Sequence, residues 1–325
     1  MRSPWLCLLL LPTLAAAGNP PKQEQVGELQ TDQLQLQVSS AFGGRALSLQ
    51  RKGEPNFLRV GAAVKSQPDP EVKAESGDIA YLGHDVWVGP QSQWWSHQQI
   101  NPERRAASAN WPPDPWLSLA PAQWLQRDPD QLQLEKTLRL DAAHPDTVHV
   151  QVNGRNIRDT PVAWDLWFNT RVHPNTRVFV PVGSADDIRV DGAPDASLPD
   201  HQWQGGMLTL RAGDASRGPR GKWFVQPSAG WMAGFNGRQV LVIRFAHQPV
   251  SAIHPQQGQV ELYLDAGGIA EGLLEMEVHA PYKTLQPGQQ MQAAEQWTLL
   301  AWEGGDDAKA QRAFLCAQQL QEACL

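Results

Sequence analysis

Apolar and polar residues alternate with a period of two along most of this 325-residue chain, from Leu34 almost to Trp302. The clearest runs are Leu34 to Val38, Arg45 to Leu49, Gln131 to Leu140, Thr147 to Val152, Val162 to Val172, Arg177 to Val182, Met207 to Arg211, Gln239 to Phe245, Gln259 to Asp265, Leu273 to Val278 and Gln296 to Trp302. Successive side chains of a strand point to opposite faces, so each run predicts a strand with one face on a core. Asn153-Gly154, Asp191-Gly192 and Pro287-Gly288 punctuate the runs as turns. The pattern predicts a long antiparallel all-β protein. No linker, repeat or low-complexity tract divides it, so residues 18–325 are expected to form one domain.

Two stretches break the alternation. Gln91 to Pro121 is rich in Pro, Trp, Asn and Ser, and an irregular excursion of that length is expected to rim a binding cleft. Near the end, Ala310, Ala313, Phe314, Ala317 and Leu320 fall at helical spacing, which predicts a helix over about 306–322 packed on the sheets.

Residues 1–17 read as an export leader: Arg2, an apolar stretch from Trp5 to Leu14, then Ala15-Ala16-Ala17 before Gly18. The stretch is too short to span a bilayer. A periplasmic or secreted bacterial protein, free of the membrane after cleavage, is therefore expected. The formal charge of −7 argues against nucleic acid and against anionic membrane surfaces as partners. Cys316 and Cys324 form an even pair in such a chain. Eight helical residues rise about 12 Å, whereas a disulfide needs Cα atoms within about 7 Å. A bridge therefore requires the helix to stop near Gln321 and turn back, and bridged and free thiols both stay open.

The chain has no G-x-S-x-G, H-E-x-x-H, G-x-x-x-x-G-K-[ST] or G-x-G-x-x-G motif. Its histidines form no close pair at metal-ligand spacing, so no metal and no cofactor are expected.

What the chain does have is tryptophan. Trp87, Trp94, Trp95, Trp111, Trp116 and Trp124 crowd the segment from Tyr81 to Trp124, interleaved with His84, Asp85, His97, Arg104 and Arg105. A pyranose offers apolar C–H faces to an indole and in-plane hydroxyls to carboxylates, amides and guanidiniums, so a mono- or oligosaccharide is the expected ligand. On Val162 to Val172, Trp164, Leu166 and Phe168 point to the core, while Asp165, Trp167, Asn169 and Arg171 point the other way, with Trp167 as an exposed platform. On Leu273 to Val278, Glu275 and Glu277 share one face, and a carboxylate on a hollow face is a candidate base. Glu261, Tyr263 and Asp265 form a third face of this type. His84, just before the Trp-rich excursion, is the candidate proton donor. Lys222, His97, Arg104 and Arg105 are candidates for binding hydroxyls or a uronic carboxylate.

Several stretches together resemble the galactose mutarotase (aldose 1-epimerase) superfamily, and more closely its exported bacterial members without an assigned function. Gly43-Gly44-Arg45-Ala46-Leu47-Ser48-Leu49 is similar to the early G-G-R hairpin, and Gly53-Glu54-Pro55-Asn56-Phe57-Leu58 carries the downstream N-x-L. Gly83-His84 with Trp87 and Pro90 resembles a G-H-x-x-W-x-x-P signature. Leu274-Glu275-Met276-Glu277, Leu285-Gln286-Pro287-Gly288 and Glu295-Gln296-Trp297 resemble the closing strand, turn and final strand. The resemblance implies an antiparallel β-supersandwich with a C-terminal helix and a sugar-binding concave face. It also implies a histidine acid and a glutamate base acting on the ring oxygen and the anomeric hydroxyl. Carried over, the base is Glu277 or Glu275, one histidine is His84, and Asp165 stands where the family's H-x-Y-F-N strand carries its principal acid.

The expected catalytic set is thus Glu277, His84 and Asp165. Trp87, Trp94, Trp95, Arg105, Trp167, Asn169, Arg171, Lys222 and Glu275 are expected to bind substrate. The rival readings are a lectin-like module without catalysis, and a protein-interaction surface built on the Trp-rich excursion.

Overall fold

The structure is a computed structural model that describes residues 26–39, 42–66, 77–94, 109–110, 116–119, 122–123, 132–267 and 272–324. The alternating runs become strands of two antiparallel sheets. The first runs, in spatial order, Val26–Gln30, Leu34–Ser39, Arg45–Arg51, His84–Gly89, Val162–Val172, Leu273–His279, Val260–Asp265, Arg220–Val225 and Ile188–Gly192. The second runs Asp200–Gln204, Met207–Arg211, Arg177–Pro181, Trp231–Asn236, Gln239–Phe245, Gln290–Ala301, Thr147–Asn156, Leu132–Leu140, Trp116–Leu119 and Ala109–Asn110.

One face of each sheet meets in a shared core. Leu36, Leu49, Val86, Leu166, Phe168, Trp223, Leu262 and Met276 from the first sheet pack with Leu134, Val150, Leu241 and Trp297 from the second. Burying this apolar area is the main favourable term in folding. A smaller cluster of Phe179, Trp231, Phe235, Val240 and Trp302 covers the other face of the second sheet, where Leu315 of the helix docks.

Two strands absent from the alternating runs are covered on both faces. All of His84–Gly89, and Trp231–Asn236 as far as Phe235, are buried, so the polar half of the pattern is absent. Asn153-Gly154 is no turn but continues the strand Thr147–Asn156, because a Cβ at Gly154 would press on Leu132, Leu134 and Leu166. Pro287-Gly288 does turn, with Gln289 N–H donating to Gln286 O.

The helix is shorter than its pattern, Ala308–Ala317, capped by the Asp307 carboxylate accepting from Ala310 N–H. Its buried side is Gln311, Arg312 and Leu315, while Ala313 and Ala317 face solvent. The expected apolar stripe is therefore rotated, since Leu315 fills the groove and the hydrogen-bonding Gln311 and Arg312 follow it in. The chain then reverses at Gln319, in the left-handed region at φ 63°, and Cys324 returns to Cys316 to form the disulfide, Cα atoms 4.8 Å apart.

Candidate functional site

On the first sheet, the face opposite the shared core is lined by charged residues, and antiparallel register aligns them. Asn169 stands opposite both Asp85 and Glu277, Glu277 opposite Glu261, Arg171 opposite Glu275, and Trp167 opposite both Trp87 and His279. Asp85, Asp165, Asn169, Arg171, Glu261, Glu277 and His279 are all no more than 2 % exposed. Burying charge is expensive unless it is paired, and here the pairs are present.

Lys222 Nζ lies 2.7 Å from Glu261 Oε2 and 2.9 Å from Glu277 Oε2. Burial alone would lower its pKa, but Glu277 and Glu261 outweigh that and raise it. His279 is held between Asp165 Oδ2, 3.2 Å from Nδ1, and Glu261 Oε1, 3.3 Å from Nε2. Burial opposes its proton, yet the two carboxylates lift its pKa to about 10, so the ring is an imidazolium at neutral pH. Against burial, His279 and Lys222 hold Glu261 down at about 2. Glu277 behaves in the opposite way. Burial, reinforced by Glu275 and Glu261, pushes its carboxyl up to about 8 despite Lys222. Two carboxyls on facing strands thus have opposite proton affinities, which is how acid and base roles separate.

Asn169 Nδ2 donates to Glu275 Oε1 (3.1 Å) and Glu277 Oε1 (3.2 Å), and Arg171 Nε donates to Glu275 Oε1 at 2.9 Å. Among the described residues, Trp167 Nε1, Asn169 Oδ1 and Arg171 Nη1 are buried without a protein partner. A cleft of about 200 Å³ opens beside Trp167, lined by Pro90, Gln91, Ser92, Trp167, Lys222, Phe224, Gln256, Gln257 and Glu261. Ser92 Oγ donates to Gln256 Oε1 across its mouth (2.5 Å), and Gln257 Oε1 is another buried acceptor without a donor. Gly89 at its base has no room for a Cβ, which would meet Gln257 Nε2 and Asp165 Oδ1.

Two larger recesses, about 490 and 460 Å³, flank the C-terminal helix. Their charges are satisfied among themselves: Arg177 pairs with Asp306 (2.8 Å) and Gln311 (2.9 Å).

The structure brings together Trp87, Trp94, Asp165, Trp167, Asn169, Arg171, Lys222, Glu275 and Glu277 on this face. Trp95 and Arg105 lie outside the described residues, as does the leader. Three expectations need correction. His84 does not face the cleft: it shares the core side of its strand with Val86 and Val88, its Nδ1 2.9 Å from Thr170 Oγ1 and its ring 4.4 Å from Trp297. Burial, reinforced by the nearby Lys136 cation, drives its pKa well below the ordinary value, so it is a neutral core imidazole and no donor. Trp167 is not an exposed platform. It is buried against His279 (4.7 Å), Trp87 (5.2 Å) and Trp94 (5.6 Å), with Lys222 Nζ 4.9 Å from its ring centre. Asp165 accepts on both oxygens, from Gly89 N–H (2.9 Å) and His279 (3.2 Å), and does not line the cleft.

His279 is the residue that the alternation missed. Continuing Glu275 and Glu277 by one more step of two reaches it, but the apolar run ends at Val278 and masks the signal. Glu261, Glu277 and His279 also place donor atoms within 4.8 Å of one another, a spacing that suits a cation. The Lys222 ammonium already bridges the two carboxyl groups.

Over residues 24–300 the chain matches the family described as a domain of unknown function (DUF4380). No curated protein matches it. Similar solved structures include a galactose mutarotase-like protein from Lactobacillus casei ATCC 334, 9% identical with a TM-score of 0.55, covering 85% of this chain and 100% of that one. A protein provisionally assigned as an aldose 1-epimerase, from Klebsiella pneumoniae subsp. pneumoniae MGH 78578, is 13% identical with a TM-score of 0.53, covering 83% of this chain and 77% of that one. At such identities the likeness is one of fold. The fold is galactose mutarotase-like, and the chain belongs to the family described as a domain of unknown function (DUF4380).

Proposed function

We propose that this protein binds a saccharide in the cleft beside Trp167 and Lys222 and interconverts its anomers there, with Glu277 as proton acceptor and His279 as proton donor. One observation carries the reading: a buried carboxyl of raised pKa and a buried imidazolium stand two residues apart on the same face of one strand, behind Lys222 and Glu261, which line a cleft. Ring opening moves the anomeric hydroxyl proton to ionised Glu277 while the ring oxygen takes a proton from His279 and the C1–O5 bond breaks. Rotation about C1–C2 and reversal of both transfers complete the cycle with no net change in protons.

The cleft is smaller than the roughly 300–1,000 Å³ of sites for drug-sized ligands, which suits one sugar ring. A hydroxyl both donates and accepts, and the cleft offers it Gln257 Oε1 as acceptor and Trp167 Nε1 as donor. Half-buried Phe224 lines the cleft, and half-buried Trp94 packs on Trp167. Export to an oxidising compartment belongs to the same reading, supported by the leader and by the Cys316–Cys324 disulfide.

Complete burial of Glu277 favours a second reading, in which the same face binds saccharide without turning it over. Tryptophan fluorescence titrated with simple sugars tests binding under both. Polarimetry on freshly dissolved aldoses tests turnover, and a rate equal to that of buffer alone leaves only the binding reading.

A further inference from the structure

The reacting row of the polar face does not stop at Glu261. Asn169, Glu277 and Glu261 stand in register, and the same register continues through Phe224, opposite Glu261, to Arg189, opposite Phe224 on the edge strand Ile188–Gly192. Neighbouring strands lie about 4.8 Å apart, so three steps carry the row about 14 Å from Glu277 to the sheet edge. Nothing in the reaction above uses this outer part.

A second recess, of about 220 Å³, lies there, and Phe224 and Gln257 line both it and the cleft. The rest of its lining mixes apolar Val250 and Ile253 with polar Arg189 and His254, the two kinds of group that a pyranose needs. Val250 is 64 % exposed, an apolar side chain left open to solvent. His254 Nδ1 accepts from Gln256 N–H at 3.3 Å, so the neutral ring carries its proton on Nε2 and keeps a donor.

The wall between the two recesses is held from both sides. Gln256 Oε1 accepts from Ser92 Oγ on the cleft side, while Gln256 O accepts from Arg189 Nη2 at 3.0 Å on the other. Arg189 is fixed further by Asp191 Oδ2, 2.8 Å from Nη1, and by its guanidinium lying 3.6 Å from the Phe224 ring centre. An exposed arginine held by three contacts has already lost the freedom that a ligand would otherwise have to take from it. At the junction, Gln257 Oε1 is a buried acceptor without a donor among the described residues, and a sugar hydroxyl is a donor that fits it. We propose that the saccharide has at least two linked rings: the ring with the free anomeric carbon occupies the cleft, and the next ring lies in the second recess, across the wall of Phe224 and Gln257. This rests on the saccharide reading above and narrows its ligand to reducing oligosaccharides. The two recesses together fall within the roughly 300–1,000 Å³ of common ligand sites, which neither reaches alone.

The test is isothermal titration of the full chain at pH 7 with D-glucose and D-galactose against the reducing disaccharides maltose, cellobiose, laminaribiose, gentiobiose, lactose and melibiose. At least one disaccharide is expected to bind at least tenfold more tightly than either monosaccharide. In Val250→Arg, which sends a long cation into the second recess from an exposed position, the ratio of disaccharide to monosaccharide affinity is expected to fall to about one. Arg189→Ala serves as the second variant, and each is first shown to be folded by circular dichroism. Gains below tenfold for every disaccharide overturn the proposal and, where a monosaccharide binds, leave the saccharide reading intact. A ratio that stays above tenfold in both variants also overturns it, because the second ring then lies elsewhere. If no sugar of either kind binds, the saccharide reading itself fails, and the proposal with it.

Discussion

Asp165 Oδ2 lies 3.2 Å from Nδ1 of His279, and the two residues come from adjacent strands separated by more than a hundred positions in sequence. The other oxygen of Asp165 accepts from Gly89 N–H, next to the loop that walls the cleft. One buried carboxylate thus joins Glu261 in holding the charge of the imidazole and also ties down the backbone at Gly89.

Asp165→Asn keeps an acceptor for Gly89 and removes the charge beside His279. The His279 pKa is expected to fall from about 10 by about 1–3, the usual effect of one close opposite charge. Imidazole resonances followed by NMR through a pH titration measure it. An unmoved value would mean that Glu261 alone holds the proton.

Turnover by the proposed route needs Glu277 ionised and His279 protonated. Glu277 stands at about 8 and His279 at about 10, so the rate is expected to climb with pH through about 8 and decline through about 10. Polarimetry from pH 6 to 11, corrected for the buffer rate, gives the profile. Glu277→Gln is expected to lower the rate by about 10²–10⁴-fold. A rate that falls steadily from pH 6 upwards would assign the protons differently.

Lys222→Ala removes the cation between Glu261 and Glu277, leaving Glu261 with His279 as its one described cation and Glu277 with Asn169. Breaking a buried pair costs about 3–5 kcal/mol, measurable by urea unfolding. The vacated space is bounded by donor atoms of Glu261, Glu277 and His279 within 4.8 Å of one another. Zn²⁺ is expected to raise the melting temperature of the variant and leave the wild-type value unchanged. Equal responses would show that Lys222 does not occupy the cation position.

Glu295 is buried in the core between the sheets with Trp297 Nε1 donating to its Oε2 at 2.7 Å. Burial outweighs that bond and raises its pKa from 4.5 to about 8. A raised acid binds its proton more tightly when folded, so its contribution is complete below about 4.5 and is lost as pH rises through about 8. Within that window this residue is expected to cost up to about 1.4 kcal/mol of stability per pH unit. Glu295→Gln keeps the acceptor for Trp297 and should flatten the dependence in thermal melts from pH 5 to 9; a slope equal to that of wild type would assign it elsewhere.

Much of the fold was legible because alternation is a local property of the backbone. Val162–Val172 and Met207–Arg211 start and end where their patterns do. Trp231–Asn236 was not legible, because a strand covered on both faces has no polar half to reveal it. The site was legible as residue types on faces: Asn169, Arg171, Glu275 and Glu277 share the polar face as their spacing requires. His84 was misplaced because nothing local tells which face of a wholly buried strand meets the second sheet.

By itself the sequence determined an antiparallel β protein, the two faces of its strands and the carboxylates, amide and guanidinium gathered on one of them. Only the tertiary structure decided that Glu277 lies between Glu261 and Asn169, that His279 takes the imidazolium role and that Trp167 is buried. The reason is one of range. Side-chain direction follows from neighbours along the chain, whereas desolvation and charge pairing are set by strands that are remote in sequence and a few ångströms apart in space.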